Sequence, residues 1–207
     1  MDVGRPHRAV CSRIEGEILI VLAGTNRPLT GREVARLAKQ GSQAGVNRAL
    51  RRLVEHGIVG AQEAGAAILY TLNRDHLASP IVLLLSGLRE ELLRRLRDSL
   101  DAWKIAPYHV SLFGSTARAD GDTSSDIDIF LVRPAKIDED NPVWRGRVDL
   151  WVQDVYRWTG NHVGLAEIAQ KELGRLRRTR PEIVPSLLSD AILLKGPPVA
   201  ELLRRRR

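Results

Sequence analysis

Residues 112–132 read LFGSTARADGDTSSDIDIFLV, and this stretch decides how the C-terminal half of the chain folds. It begins as an apolar run typical of a β-strand, which ends at Gly114-Ser115. A polar stretch follows, and Asp126-Ile127-Asp128 opens a second apolar run. Because alternate side chains of a strand share one face, the two aspartates are predicted to point the same way. The stretch therefore predicts two strands joined by a bend, with two carboxylates next to that bend.

The residue types at this bend are suited to binding a phosphate group and divalent cations. Glycine lets the backbone approach a ligand closely, and Ser115 would add a hydroxyl at a helix N-terminus with free amides. Two carboxylates on one face are what a pair of Mg²⁺ ions, about 3.5–4 Å apart, requires in phosphoryl transfer. In the alternative interpretation, Asp126 only caps a turn through Ser124-Ser125, and Asp128 lies on a solvated strand face.

The order glycine-serine, ten residues, Asp-x-Asp resembles the signature of the DNA polymerase β-like nucleotidyltransferases. The resemblance is closest to their minimal stand-alone members in prokaryotes, whose motif is usually GSxAR…SDIDL. The matching residues are Gly114, Ser115, Ala117, Arg118, Ser125, Asp126, Ile127 and Asp128. The resemblance implies transfer of NMP from an NTP, expected to be ATP, to a hydroxyl or similar acceptor. It also implies that the catalytic residues binding Mg²⁺ or Mn²⁺ are Asp126 and Asp128, and that the nucleotide-binding residues are Gly114, Ser115, Arg118 and Ser125.

Members of this family carry a third carboxylate on a neighbouring strand, where it completes the metal site or deprotonates the attacking hydroxyl. Glu167 is the acid in the predicted strand 162–168 and is our first candidate for this catalytic role. Asp149 is a second candidate because it lies in a V-D-L triplet, although its surroundings predict a helix. The third interpretation is a site with only two carboxylates, which would be slow or inactive.

Two further features each allow two interpretations. Arg118 could pair with the γ-phosphate of a bound nucleotide, or it could form a salt bridge with Asp120 or Asp122. Three tryptophans spaced seven residues apart are typical of one helix face packed into a core, although tryptophans also stack on bases. These tryptophans are Trp144, Trp151 and Trp158.

The N-terminal third of the chain shows three helical segments followed by two short strands. Residues 14–23 have apolar positions at helical spacing, and Thr30 with Glu33 predicts a capping box for a second helix. A third helix is predicted from Ser42, as its N-cap, to a stop at Gly57. The following residues predict two strands joined by a glycine-containing turn.

This order of elements resembles a winged helix-turn-helix domain over residues 12–75. The resemblance implies that the third helix enters the major groove of DNA and that the hairpin touches the backbone. The implied DNA-reading residues are Gln43, Asn47, Arg48 and Arg51. Domains of this type also bind other proteins, so a hydrated Arg/Asn face without a DNA partner is the alternative.

The predicted fold class is α+β. A winged helix-turn-helix domain at residues 1–78 is followed by a small mixed-sheet nucleotidyltransferase domain with flanking helices at residues 79–207. The boundary is placed where Asn, Asp and Pro interrupt the pattern. From Ile81 to Trp103, leucines recur at three- and four-residue spacing, which predicts one long amphipathic helix that opens the second domain.

The charge of the chain favours partners that carry phosphate. The formal net charge is +7, and arginine far outnumbers lysine. Guanidinium groups bind phosphate through paired hydrogen bonds, although a GC-rich genome produces the same arginine excess. A single cysteine, Cys11, and the lack of an apolar leader or a run of membrane-spanning length predict a cytoplasmic protein without a membrane partner.

Two functions of different classes follow from these patterns. In the first, the chain is a metal-dependent nucleotidyltransferase that modifies a protein, as in toxin–antitoxin pairs, or an RNA end or a small molecule. Its short catalytic part leaves room for a partner protein to complete the site. In the second, the chain is a DNA-binding transcriptional regulator whose nucleotidyltransferase fold senses nucleotide or has lost activity. The third carboxylate discriminates between the two.

Overall fold

The computed structural model describes residues 1–11, 13–39 and 41–204. The chain divides into two compact units, Pro6–Arg89, here called unit N, and Met1–Arg5 together with Glu90–Arg207, here called unit C. Each unit holds one small β-sheet with helices packed around it, which confirms the predicted α+β class. None of the helices within the described ranges is long and apolar enough to cross a membrane.

Within the residues that the structure describes, unit N begins with a 3₁₀ turn at Pro6–Ala9 and contains four α-helices and a three-stranded antiparallel sheet. The elements in chain order are α1 (Ile14–Ala23), β1 (Leu29–Thr30), α2 (Gly31–Ala38), α3 (Gln43–Glu55), β2 (Val59–Ala64), β3 (Ala67–Leu72) and α4 (Ser79–Ser86). The strand order is β1-β3-β2. The three helices and the hairpin therefore follow one another as the sequence predicted.

Local capping interactions fix where the helices of unit N begin and end. The Thr30 hydroxyl accepts from the Glu33 backbone N–H at 3.3 Å, and Glu33 Oε2 accepts from the Thr30 N–H at 2.8 Å, which confirms the capping box. The backbone and hydroxyl of Thr30, with help from Arg27, lower the pKa of Glu33 to about 2. Ser42 caps α3, and Gly57 follows its end with φ +76°.

The apolar stripe of α3 builds the core of unit N. Its buried side chains are Val46, Ala49, Leu50 and Leu53, as the helical spacing predicted. They pack in one cluster with buried residues of α1 and β3, among them Ile18, Leu22 and Leu72. The opposite face of α3 is consequently left in solvent.

The long helix predicted from Ile81 to Trp103 is wrong: the structure has two helices there. Helix α4 ends at Gly87, whose N–H caps the Leu83 and Leu84 carbonyls, and α5 (Leu88–Asp101) begins at the next residue. Glycine interrupts helices because it lacks a side chain and loses much backbone entropy on folding. Val82 of α4 is buried in the core of unit N, so the division between the units lies at residues 89/90, eleven residues beyond the boundary at 78/79 that the sequence suggested.

Unit C is built around a four-stranded mixed sheet in the order β6-β5-β4-β7. Its elements after α5 are β4 (His109–Leu112), α6 (Gly114–Arg118), β5 (Ile127–Arg133), α7 (Pro142–Thr159), β6 (Val163–Ala169), α8 (Leu173–Thr179), α9 (Ile183–Asp190), β7 (Ile192–Lys195) and α10 (Val199–Leu202). Strands β5 and β6 are parallel, and the other two pairs are antiparallel. Parallel strands need a long crossover, which α7 supplies.

The alternation of side chains along β5 divides unit C into two cores. The odd-numbered residues Ile127, Ile129 and Leu131 pack with Trp144 and Trp151 of α7. Both tryptophans are fully buried and meet the Trp103 ring edge-on, with centroids 5.5 and 5.9 Å away, which favours the core interpretation of the tryptophan spacing. The even-numbered Phe130 and Val132 pack on the other face, against α8, α9 and α10.

Candidate functional site

The bend after β4 requires glycine for two reasons. Gly114 has φ +68°, a backbone conformation that residues with a side chain rarely adopt. A Cβ at this position would also overlap the Oδ2 atom of Asp128. The Phe113 N–H donates to the Asp128 carbonyl at 3.0 Å, so the bend and the start of β5 are held together. The structure thus brings Gly114 and Asp128 into direct proximity.

The two aspartates of the Asp-x-Asp pattern lie on the same side of the sheet. A Cβ built on Gly164 of β6 would be 2.9 Å from Asp128 Oδ1 and 3.8 Å from Asp126 Cβ. Burial raises the pKa of Asp128, the nearby charge of Asp126 raises it further, and the Arg118 cation opposes the shift. The structure therefore places two interacting carboxylates and one cation next to the glycine bend.

The loop that leads into β5 is held by hydrogen bonds to serines. Ser125 Oγ accepts from the Asp122 N–H at 2.9 Å and donates to Asp122 Oδ1 at 3.0 Å, so this hydroxyl is engaged within the loop. The hydroxyls of Ser115 and Ser125 both lie 3.1–3.2 Å from a Cβ built on Gly121. The two serines assigned to the nucleotide are therefore brought to the same small region.

Asn161 is a functional candidate that the sequence patterns did not single out beyond marking the end of a helix. It is buried, and its side-chain amide donates to the Ser125 carbonyl at 3.0 Å. The neighbouring His162 carbonyl accepts from the Ile127 N–H at 2.8 Å. Asn161 therefore fixes the backbone immediately before Asp126 from the turn between α7 and β6.

Arg118 forms two ion pairs in this structure. It donates to Asp120 Oδ2 at 2.9 Å and to Asp190 Oδ2 at 2.7 Å. Of the two acids named as salt-bridge candidates, Asp120 is the partner, whereas Asp122 binds Ser124 and Ser125 instead. Asp190 could not be foreseen, because it lies on α9, 72 residues away in the sequence. The same guanidinium lowers the pKa of Asp128, so Arg118 remains within electrostatic range of the carboxylate pair.

Glu167 is not brought next to Asp126 and Asp128. It pairs with Leu131 across the sheet, whereas Asp128 pairs with Gly164, and these two positions face opposite sides. Glu167 Oε1 accepts from Arg133 and from Trp144 Nε1, the latter at 2.9 Å. Both members of the Arg133–Glu167 ion pair are nearly buried. Glu167 is therefore an acid of the core on the α7 side.

Asp149, the other candidate, is not near the two aspartates either, and the described residues of β6 on their side of the sheet carry no acid. Asp149 is exposed on α7, which packs on the side of the sheet opposite Asp128. The residues of β6 that share the face of Asp128 are Gly164, Ala166 and Ile168, none of which is acidic. Within the described residues no three His, Cys, Asp or Glu side chains are grouped so that they could hold a metal ion. The site consists of two carboxylates, with glycine in the strand position opposite them.

We expect Gly114→Ala to lower the free energy of unfolding by about 1–3 kcal/mol, because the new methyl group must adopt a strained φ and overlaps Asp128. Urea unfolding followed by circular dichroism measures this change. Gly146→Ala is the matched control: a Cβ there meets no atom within 4 Å, and alanine in a helix interior should add about 0.5–1 kcal/mol. Equal destabilisation by both substitutions would show that the bend is not constrained.

A second candidate surface lies on α3 in unit N. Gln43, Asn47, Arg48 and Arg51 are all exposed, on the side opposite the buried stripe. Gln43 Nε2 donates to Asn47 Oδ1 at 2.9 Å and to the Gly31 carbonyl at 3.2 Å, which orders the two amide side chains. Within the described residues neither Arg48 nor Arg51 forms an ion pair, whereas Arg52 pairs with Glu15. The face therefore presents two uncompensated cations beside two amides.

Comparison with known proteins found no protein-family model, no curated protein and no solved structure that matches this chain. Its function has to be argued from the two surfaces themselves.

Proposed function

We propose that this chain is a DNA-binding regulator whose unit C is a nucleotidyltransferase-type domain. It binds a metal–NTP complex, and it transfers NMP to an acceptor hydroxyl, with release of pyrophosphate, slowly or not at all. The observation that carries the proposal is the composition of the site in unit C. Asp126 and Asp128 adjoin the Gly114 bend, but Gly164 stands opposite them and Glu167 belongs to the core on the other face. Among the described residues, the carboxylates that could bind a metal are present, and the third carboxylate that would activate an acceptor hydroxyl is not.

The α3 face supports the DNA-binding half of the proposal. Helix-turn-helix proteins of the winged type read the major groove with an exposed helix, whose Arg, Asn and Gln side chains contact base edges and phosphates. On α3 these residue types share one exposed face, and Arg48 and Arg51 have no intramolecular carboxylate within the described residues. The net charge of +7 adds a favourable long-range term for a polyanion.

The carboxylate pair supports the nucleotide-binding half. Two carboxylates on one side of the sheet, whose charges interact, and a nearby backbone bend suit one hard divalent cation such as Mg²⁺ or Mn²⁺. Such a cation neutralises phosphate charge when it is bound. In this assignment Asp126 and Asp128 hold the cation, Gly114 leaves room for the phosphates, and the Ser115 hydroxyl donates a hydrogen bond to them. Asn161 keeps Asp126 in place through the Ser125 carbonyl.

Slow transfer follows from the lack of a general base in this assignment. Proton transfer by a positioned side chain typically contributes 10²–10⁴-fold to an enzymatic rate. The β6 residue opposite Asp128 is Gly164, which has no side chain to accept the proton of an attacking hydroxyl. Asp126 and Asp128 are needed as ligands and are not free to serve as that base. We therefore expect turnover to be reduced by about this factor relative to a site with three carboxylates.

A working nucleotidyltransferase is the second candidate function. The geometry of Gly114, Asp126 and Asp128 favours it, because two interacting carboxylates lie on one side of the sheet beside a glycine bend. In this case a partner protein would supply the missing base, and the acceptor would be a protein, an RNA end or a small molecule. Transfer of label from α-³²P-NTP to a product at about 1 s⁻¹ or faster, which is typical of enzymes, would support this candidate over the first.

The proposed function is tested by DNA binding of the Arg48→Ala, Arg51→Ala double variant. We expect it to bind fragments from upstream of its own gene at least about tenfold more weakly than wild type, with a salt dependence less steep by roughly 2, since each lost phosphate contact contributes about 0.9 to that slope. Electrophoretic mobility shifts at several salt concentrations, with and without Mg-ATP, measure both quantities.

Arg52→Ala is the matched control for this experiment. It removes one cation from the same helix, but Arg52 already pairs with Glu15 at 3.3 Å, so its charge is partly compensated. We expect DNA affinity within a factor of about 2 of wild type. The proposal fails if the double variant and the control bind DNA equally well, or if neither wild type nor variants bind any fragment.

A further inference from the structure

The segment around α8 is strongly positively charged. Residues 171–182 read KELGRLRRTRPE, with five basic and two acidic side chains. Lys171 belongs to the 3₁₀ turn Gln170–Glu172, which runs directly into α8. Lys171, Arg175 and Arg178, here called the α8 stripe, are all exposed, as is Arg180 just after the helix. The charge is therefore on the surface.

The α8 stripe is one face of a helix whose other face is anchored. Arg175 and Arg178 are three residues apart in α8 and therefore lie on the same side of the helix, and Lys171 precedes them in the 3₁₀ turn. Leu173 and Leu176 are buried on the opposite side, in the core with Phe130 and Val132. The stripe is consequently held on a fixed scaffold, with Arg175 and Arg178 about 4.5 Å apart along the helix axis.

The cations of the α8 stripe differ from the arginines of α5 and α7 that form ion pairs. On α5, Arg94 and Arg95 pair with Glu91 and Asp98, and on α7, Arg145 and Arg157 pair with Glu139 and Asp154. Within the residues that the structure describes, Lys171, Arg175, Arg178 and Arg180 form no ion pair. The two nearby acids do not change this: Glu172 accepts from the Ala169 N–H at 2.8 Å, and Glu182 is exposed beyond the helix.

Uncompensated like charges at helical spacing repel one another and destabilise the helix slightly. An anionic partner removes that cost. The cations are spread along a line and do not converge on one point, so the arrangement fits an extended polyanion better than a single phosphate ion. No large exposed apolar side chain accompanies them on α8, because its leucines are buried, which disfavours insertion into a lipid surface.

We propose that the α8 stripe is a second nucleic-acid surface, which binds the phosphate backbone without reading sequence. Lys171, Arg175 and Arg178 each contact a phosphate, and Arg180 adds to the local potential. A groove of about 380 Å³ borders Arg175 and Thr179, but it is also lined by the acids Glu167 and Glu172, so the phosphate contacts are assigned to the exposed stripe and not to this groove. This proposal is independent of the one made for α3.

The test compares two triple variants of the full chain that lose the same number of charges. Lys171→Ala, Arg175→Ala, Arg178→Ala removes the stripe, and Arg94→Ala, Arg95→Ala, Arg145→Ala removes three arginines that have carboxylate partners. The probe is a DNA duplex of random sequence, and fluorescence anisotropy gives its affinity as a function of salt concentration. We expect the stripe variant to bind at least about tenfold more weakly, with a slope less steep by about 2–3. The control should change the slope by less than about 1.

Repeating the measurement with Arg48→Ala, Arg51→Ala separates the two surfaces. If only the α3 substitutions weaken binding, the proposal for the α8 stripe is overturned, while the proposed function stands. If only the stripe substitutions weaken DNA binding, the proposal for the α8 stripe stands and the DNA-binding role of α3 is overturned. A last measurement uses vesicles of equal parts phosphatidylserine and phosphatidylcholine. The proposal is also overturned if wild type binds these vesicles, the stripe variant does not, and both bind DNA equally well. Because the exchanged side chains are exposed, thermal unfolding should match wild type within a few degrees.

Discussion

Asp128→Asn is expected to weaken metal-dependent nucleotide binding by at least about 100-fold. Loss of a group that only supports a metal ligand already costs 10- to 100-fold in metal affinity, and Asp128 is assigned as a ligand itself. Asparagine has the same shape and keeps a neutral oxygen, so the loss reports the missing charge. Isothermal titration with Mg-ATP, and separately with Mn²⁺ alone, measures the effect.

The stability of the same variant should change in the opposite direction. Burial and the neighbouring Asp126 raise the pKa of Asp128, so the folded protein disfavours its ionised form. A carboxyl group whose folded pKa is raised costs stability above that pKa and ceases to do so as the pH falls below it. We therefore expect Asp128→Asn to unfold at a slightly higher urea concentration than wild type at neutral pH, and this difference to shrink in acid.

Asp149→Asn is the control for Asp128→Asn, since it removes an equal charge from an exposed position of α7. It should leave nucleotide affinity unchanged. Weaker nucleotide binding in both variants would indicate a general charge effect and remove the assignment of Asp128 as a ligand. Unchanged nucleotide binding by Asp128→Asn would also remove the assignment of Asp128 as a ligand.

Arg133→Met is expected to lower the free energy of unfolding by about 3–5 kcal/mol, because it leaves the nearly buried Glu167 carboxylate without its cation. Arg133 Nε also donates to the Ile137 carbonyl at 3.0 Å, so the loop after β5 loses a contact as well. Chemical denaturation in urea gives the change. Arg145→Met removes an arginine from an exposed pair with Glu139 and should cost no more than about 1 kcal/mol.

The double variant Arg133→Met, Glu167→Leu should recover most of the lost stability, since replacing both members of a buried pair by apolar groups is often neutral. Glu167→Gln supplies a second readout, because it keeps an acceptor for Trp144 Nε1. We expect it to be less stable than wild type and to bind Mg-ATP normally when folded. If Glu167→Gln has normal stability but no longer binds nucleotide, Glu167 would have to be assigned to the metal site.

Local patterns in the sequence predicted much of this molecule. The capping box at Thr30 depends on residues three apart, and the shared side of Asp126 and Asp128 depends only on strand alternation. Gly114 was recognisable from its place in the glycine-serine, ten residues, Asp-x-Asp spacing, although its close approach to Asp128 is seen only in the structure. These features lie within a few residues of one another, or at a spacing that a known motif fixes.

What the sequence did not predict depends on pairing between distant segments. Glu167 lies on a strand as expected, but its face is set by the register of β6 against β5, and a shift of one residue would reverse it. Asp190 reaches Arg118 only after α9 has packed near α6. The break at Gly87 was missed because leucines continue at helical spacing on both sides of it. Periodicity cannot distinguish one long helix from two short ones in such a run.

The ion pair between Arg118 and Asp190 also has a consequence for how the protein is made. The glycine bend and both aspartates are synthesised long before α9 and β7. During that interval Arg118 has only Asp120 to hold it, and β4 has only one of its two neighbours. The candidate site of unit C is therefore complete only in the last stage of synthesis. Shortened translation products that end before Asp190 should be unable to compete for nucleotide.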